Sequence, residues 1–266
     1  MALLEVRGLV KRFLGVTAVD QVDLAVDSGE LVSLIGPNGS GKTTLFNCVT
    51  GYLGADGGRV LFRGRDLTGA APHRVARLGV ARTFQQVSVF PRLSALENLL
   101  VFLQQHQEEH LLARLLRTPR LRRLEGQAVE RARRLLVLVG LAEKADATAG
   151  SLSYGQRKLL AFAGALMSDP DLLLLDEPAA AVNPTMINQL KDHILDLHRQ
   201  GKTVVLVEHN MDVVMDLSQR VVVLDHGQKI AEGPPDAIRR DARVIEAFRN
   251  PEHDPSRKSR CAARRG

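Results

Sequence analysis

The stretch Gly36-Pro37-Asn38-Gly39-Ser40-Gly41-Lys42-Thr43 constrains this chain most, because it follows the apolar run Leu31-Val32-Ser33-Leu34-Ile35 and leads into a helical pattern from Lys42 to about Thr50. It satisfies G-x-x-x-x-G-K-[ST] at every fixed position. Glycines lack Cβ, so backbone N–H groups from Gly39 through Thr44 can turn inward around phosphates, and the following helix presents its positive end there. Lys42 is placed to reach β- and γ-phosphate oxygens, and the Thr43 hydroxyl to help hold Mg²⁺. A strand, a phosphate cradle and a helix in that order imply an α/β fold that binds ATP or a related nucleotide.

The second half of the chain carries short apolar runs of the buried parallel-sheet kind: Leu172 to Leu175, Val204 to Val207 and Val221 to Leu224. The first of these closes on Asp176-Glu177, at the carboxyl end of a strand, where open α/β sheets place ligand chemistry. Two carboxylates directly after four leucines are an odd choice for solvation alone. Asp176 is positioned to orient a Mg²⁺ shell, and Glu177 to polarise an attacking water as general base. Leu4 to Arg7, Val19 to Val26 and Arg59 to Phe62 read as further strands, and Thr185 to Arg199 as a helix with Pro184 near its start and Gly201 past its end. Between about Pro91 and Gly150 the texture turns Leu/Arg/Glu-rich with almost no strand signal, which reads as a helical insertion in an α/β core.

The 266 residues are 45% hydrophobic, ample for a sizeable core. No apolar run approaches the roughly 18 to 20 residues that span a bilayer. The chain opens without the charged, apolar and small-residue regions of a leader, so the expectation is a cytoplasmic protein whose membrane link comes through a partner. Cys48 and Cys261 stand far apart without C-x-x-C spacing, which supports neither a disulfide framework nor a zinc site; Cys48 reads as buried packing. A formal charge of +6 is concentrated in an Arg-rich cluster from Arg114 to Arg134 and in a tail of Arg257, Lys258, Arg260, Arg264 and Arg265. A solvated helix face and a flexible tail over 250–266 account for it, with anionic lipid or nucleic acid contact as the other reading.

One more stretch refines this picture: Leu152-Ser153-Tyr154-Gly155-Gln156, before the leucine strand. It should open a helix whose free N–H groups and positive end face an anion; alone, Ser153 would read as a simple N-cap. Gly36 to Thr43, Leu152 to Gln156 and Leu174-Leu175-Asp176-Glu177-Pro178, in that order, resemble the ATP-binding-cassette (ABC) ATPase family over about residues 3 to 249. The resemblance implies a P-loop NTPase core with an antiparallel β-subdomain in about 3–90 and 151–249, and an inserted helical subdomain in about 91–150. It also implies that two ATPase subunits close head to tail on two ATP molecules. Each site then joins one subunit's phosphate loop to the other's signature, so Ser153, Tyr154, Gly155 and Gln156 serve the nucleotide held by the partner.

The same resemblance assigns Gln85, in Thr83-Phe84-Gln85, to Mg²⁺ and to the transporter interface, and His209 to the γ-phosphate and the attacking water. Phe13 fits the aromatic that stacks on adenine, with a core phenylalanine as the other reading. Two positions depart from the family pattern: Tyr154 stands where Gly is more common, and Asn183 where Asp is usual in the loop that crosses the dimer. Asparagine keeps hydrogen bonding there without charge. Leu-Ser-Tyr-Gly-Gln, Ala81 to Gln85, Asp176 to Ala180 and Val207 to Met211 resemble ATPases of branched-chain amino acid uptake, as do Asn47 to Gly51 and Val244 to Phe248.

The implied partners are two membrane permease subunits, docked near Gln85 to Leu100 and the helical insertion, a second ATPase subunit, identical or homologous, and an extracytoplasmic solute-binding protein. The place of work is then the cytoplasmic face of the inner membrane. Urea or short-amide uptake, a soluble DNA- or ribosome-acting ABC ATPase and a P-loop kinase are the other readings; the last would not need Leu152 to Gln156. His106-Gln107-Glu108-Glu109-His110 matches H-x-x-E-H, a zinc-site spacing, but lies in a polar helical pattern with no third ligand singled out, and reads as a solvated helix face.

Overall fold

A computed structural model describes residues 2–83, 89–104, 119–180 and 182–249. From the N-terminus run β1 (Ala2–Phe13), β2 (Val16–Asp27), β3 (Leu31–Ile35), α1 (Lys42–Val49), β4 (Gly57–Phe62) and β5 (Arg65–Asp66). The middle holds α2 (Pro72–Arg77), β6 (Val80–Arg82), α3 (Ala95–Gln104), α4 (Pro119–Leu138), α5 (Tyr154–Ala165) and β7 (Leu172–Asp176). The chain goes on through α6 (Pro184–Arg199), β8 (Thr203–Val207), α7 (Met211–Leu217), β9 (Arg220–Asp225), β10 (Gln228–Gly233), α8 (Pro235–Arg240) and α9 (Ala242–Arg249). These elements form two compact units, one from the described residues of 1–27, 31–69 and 207–266, the other from 28–30 and the described residues of 70–206.

In the first unit an antiparallel sheet runs in the order β2-β1-β4-β5. Along β2 the side chains of Val22, Leu24 and Val26 are buried while Gln21, Asp23 and Ala25 are exposed, the period of two that a half-buried strand requires. Leu4, Glu5 and Val6 pair with Val26, Ala25 and Leu24. The register shifts between Val6 and Leu9, beside Gly8 at φ +53. That irregularity breaks the alternation and explains why only Leu4 to Arg7 shows in the sequence, although the strand continues to Phe13.

The same unit carries β3, buried throughout, paired in parallel with β9 so that Ile35 stands beside Val223. On its other edge β9 pairs antiparallel with β10. Ile35, Val214, Val221, Val223, Ile238 and Val244 share one apolar cluster, which draws α7, α8 and α9 onto these strands. Neighbouring strands in the second unit follow the order β8-β7-β6, with Val80, Ala81 and Arg82 in parallel register with Leu172, Leu173 and Leu174.

Helices α3 and α4 fall in the 91–150 stretch, where the only strand-like pairing among the described residues is the single bridge Ser94 to Thr148. Buried Asn98 ties the entry of α3 together: its amide donates to the carbonyls of Phe90, Leu93 and Ser94 and accepts from the Phe90 N–H at 2.7 Å. Gly164 of α5 leaves room for the Phe102 ring, since a Cβ there would lie 2.5 Å from its Cδ2. Among the described residues no helix is long and apolar enough to cross a membrane.

Candidate nucleotide site

The phosphate loop leaves β3 at Gly36 and enters α1 at Lys42. Two of its glycines are sterically required. A Cβ on Gly36 would stand 2.0 Å from the Leu224 carbonyl oxygen, and one on Gly41, at φ +101, would stand 2.3 Å from that of Ala18. The first turn of α1 holds no acidic residue, so its positive end is left uncompensated by its own sequence. Lys42 is buried, and its Nζ donates to the Gly36 and Pro37 carbonyls at 2.8 Å each and to Ser40 Oγ at 3.3 Å. Asn38, Gly39 and Thr43 are exposed and Thr44 half-buried, so the loop presents backbone and one hydroxyl outward. Cys48 is buried in α1, and burial pushes its thiol up from the usual range.

Gly41→Ala is expected to weaken binding of a fluorescent ATP analogue by roughly tenfold or more, because the cradle must distort to clear the Ala18 carbonyl. Gly39→Ala meets nothing within 4 Å and carries only the backbone cost of φ +82, so its loss should be smaller in the same titration.

Four buried leucines deliver Asp176, itself 2% exposed, at the end of β7. Arg82, at the end of the adjacent β6, donates from Nη2 to Asp176 Oδ2 at 2.7 Å, and both side chains are almost wholly buried. Thr83 continues the lacing: its N–H donates to the Leu174 carbonyl at 2.9 Å, and its Oγ1 accepts from the Asp176 N–H at 3.2 Å. The other carboxylate oxygen, Oδ1, is buried without a hydrogen-bond partner. A carboxylate with one oxygen committed and the other unsatisfied suits a hydrated divalent cation. Among the described residues no group of three or more His, Cys, Asp or Glu could hold a metal ion by itself. Glu177 follows, half-buried, at φ +48, a left-handed conformation that is strained for a residue with a side chain.

Ser153 caps α5. Its Oγ accepts from the Gln156 N–H at 3.2 Å, and the Gln156 Oε1 accepts from the Ser153 N–H at 3.0 Å, a reciprocal capping box. Tyr154 is 42% exposed. A Cβ on Gly155 would lie 2.5 Å from Met186 Sδ, so this glycine lets α6 approach the start of α5. Asn183 caps α6, accepting from the Met186 N–H at 2.9 Å. Thr83, Gly155, Lys158, Glu177, Val182 and Met186 line an open cleft.

The ABC transporter family profile matches residues 19–180, and a profile for branched-chain amino acid ATP-binding cassette transporters matches residues 228–248. The chain is 44% identical over 247 residues to the high-affinity branched-chain amino acid transport ATP-binding protein BraF of Pseudomonas aeruginosa, covering 92% of this chain and 97% of that protein. It is 42% identical over the same length to LivG of Escherichia coli K12, a protein of the same description. The chain belongs to the ABC transporter family. A solved nucleotide-free ABC cassette superposes with a TM-score of 0.82 at 35% identity, over 93% of this chain and 99% of that one. A dimeric cassette bound to ADP and Pi superposes with a TM-score of 0.74 at 25% identity, over 87% of this chain and 98% of that one. This ABC chain is thus a nucleotide-binding, ATP-hydrolysing cassette.

Within this ABC cassette Phe13 ends β1 at 42% exposure, with Lys11 Nζ 5.4 Å from its ring centroid, so it is not a core side chain. His209 is exposed just after β8, and its N–H donates to Oε2 of buried Glu208 at 3.1 Å. Gln85 and the His106 to His110 stretch lie outside the described residues. Sequence reasoning assigned no role to Arg82 or Lys158. A basic residue ending a buried strand was the available sign for Arg82; Lys158, in the second turn of a helix with a polar start, carries no comparable sign.

Proposed function

We propose that this chain is the ATP-hydrolysing subunit of an importer for branched-chain or closely related amino acids, working at the cytoplasmic face of the membrane. The observation that carries the hydrolytic part is the end of β7, where Asp176 keeps one buried oxygen unsatisfied and Glu177 is held in a strained turn. The solute class rests on the relatives named for branched-chain amino acid transport and on the matching segment at 228–248.

In this reading the backbone N–H groups of Gly39 to Thr44 bind the phosphates, Lys42 neutralises the β- and γ-oxygens, and Phe13 stacks on the adenine. Thr43, Asp176 and Gln85 would hold Mg²⁺, which when bound neutralises charge gathering on the phosphate oxygens. Glu177 accepts the proton of the attacking water, and His209 orients that water against the γ-phosphate. The signature residues Ser153 to Gln156 and the Asn183 loop serve the nucleotide of a second ATPase subunit. The helices among the described residues of 91–150, with Gln85 to Leu100, would dock on two permease subunits, and an extracytoplasmic binding protein supplies solute. ATP favours the closed pair because it binds that state more tightly than the open one, and this difference is what can do work.

Substituting both Ser153→Arg and Gly155→Asp is expected to abolish ATP-driven dimerisation, measured by light scattering with a hydrolysis-deficient chain, while leaving binding of a fluorescent ATP analogue within about twofold. Undiminished dimerisation would remove the trans role. For the solute, the chain co-expressed with its permeases is expected to support ATP-dependent uptake of labelled leucine; uptake of urea in its place would move the assignment to that class.

A further inference from the structure

Lys158 stands in the second turn of α5, and its Nζ lies 2.9 Å from the Glu177 carbonyl, 3.4 Å from that of Pro178 and 2.5 Å from that of Ala180. An ammonium offers three donors, and here they converge on the carbonyls of one tight turn. Half-burial of such a charge is unfavourable unless its donors are satisfied, so the position is built and not incidental. The turn also closes on itself through the Ala180 N–H and the Glu177 carbonyl at 3.2 Å. At its head Glu177 has φ +48, a conformation that persists only where the surroundings over-determine it.

We propose that Lys158 is a positioning residue that holds the Glu177 turn and ties its geometry to the helix opened by Ser153. The proposal rests on the reading of Glu177 as general base. Lys158 stands five positions after the capping serine, little more than one helical turn, so a shift of the α5 N-terminus carries Nζ with it. These three contacts reach backbone carbonyls of the turn, so the lysine holds the main chain on which the Glu177 side chain is mounted. An anion engaged at the start of α5 therefore acts on the turn that carries the same chain's base. Through Lys158 the signature helix becomes a mechanical input to hydrolysis in its own subunit.

The test uses the assembled transporter. Lys158→Met is expected to lower kcat for ATP roughly 10- to 100-fold with KM within about twofold, since a displaced catalytic group costs turnover before binding. Lys158→Arg, which keeps charge and donors, should recover most of the rate. Lys158→Met should add nothing once Glu177→Gln is present. Unchanged kcat in Lys158→Met overturns the proposal, as does a fall in kcat matched by a fall in thermal midpoint that Lys158→Arg does not repair. If Lys158→Met does not fold, Lys158→Gln is read by the same criteria. Failure of the underlying reading shows separately: Glu177→Gln would then hydrolyse ATP at the wild-type rate whatever stands at position 158.

Discussion

Glu177→Gln is expected to lower ATP turnover in the assembled transporter by about 10²- to 10⁴-fold, the range lost when a positioned general base is removed. The glutamine keeps the shape and hydrogen-bonding reach of the side chain and loses only its ability to accept the proton. Lys158 grips the turn through backbone carbonyls, so the substitution leaves that turn its main-chain contacts and the φ +48 conformation its support. Binding of an ATP analogue should stay within about twofold, because Glu177 contributes to the transition state more than to the ground state. ATP would then accumulate in the closed pair, visible as a slower-sedimenting monomer fraction giving way to dimer on adding ATP. Undiminished phosphate release in single-turnover assays would show that another group accepts the proton. Release that falls together with ATP affinity would instead mark Glu177 as a binding residue.

The parts of this site that a sequence displays are those in which backbone geometry forces residue identity. Gly36 and Gly41 are readable because a Cβ would strike a neighbouring carbonyl in either place, and Asp176 because four buried leucines precede it. Buried strands such as Leu172–Asp176 and Thr203–Val207 also announce themselves, since burial on both faces demands unbroken apolar runs. β6 and β10 do not: the first has three residues, and the second, paired with β9, buries only Ala231. Lys158 was illegible for a different reason. Its role depends on carbonyls that lie 19 to 22 residues away in the chain, and a backbone acceptor leaves no mark on residue type. Arg82 is the intermediate case, a charge at the end of a strand whose partner only the register of β6 on β7 reveals.

That register makes Arg82→Ala the second large expected effect, and one read without nucleotide. Arg82 and Asp176 have side chains 5% and 1% exposed and meet at 2.7 Å. Removing one member of a buried pair leaves the other charge uncompensated, at a cost of about 3–5 kcal/mol. Stability of a whole domain is only about 5–15 kcal/mol, so the urea midpoint should fall by a large fraction of its value. Arg199→Ala is the control: Arg199 pairs with Asp196 on the surface of α6 at side-chain exposures of 70% and 45%, and such pairs contribute about 0–1 kcal/mol. Equal midpoints for the two variants would mean that Asp176 is not held by Arg82. The pair also separates two jobs of one carboxylate, because Oδ2 is engaged by the guanidinium while Oδ1 is left for chemistry. Arg82→Lys keeps the charge but loses the planar fork, so it should recover part of the stability while leaving Asp176 less firmly oriented. Mg²⁺ dependence of ATP-analogue affinity then distinguishes charge from orientation: a weakened Mg²⁺ response in a well-folded Arg82→Lys protein assigns the arginine to the aim of Asp176 as well as to its burial.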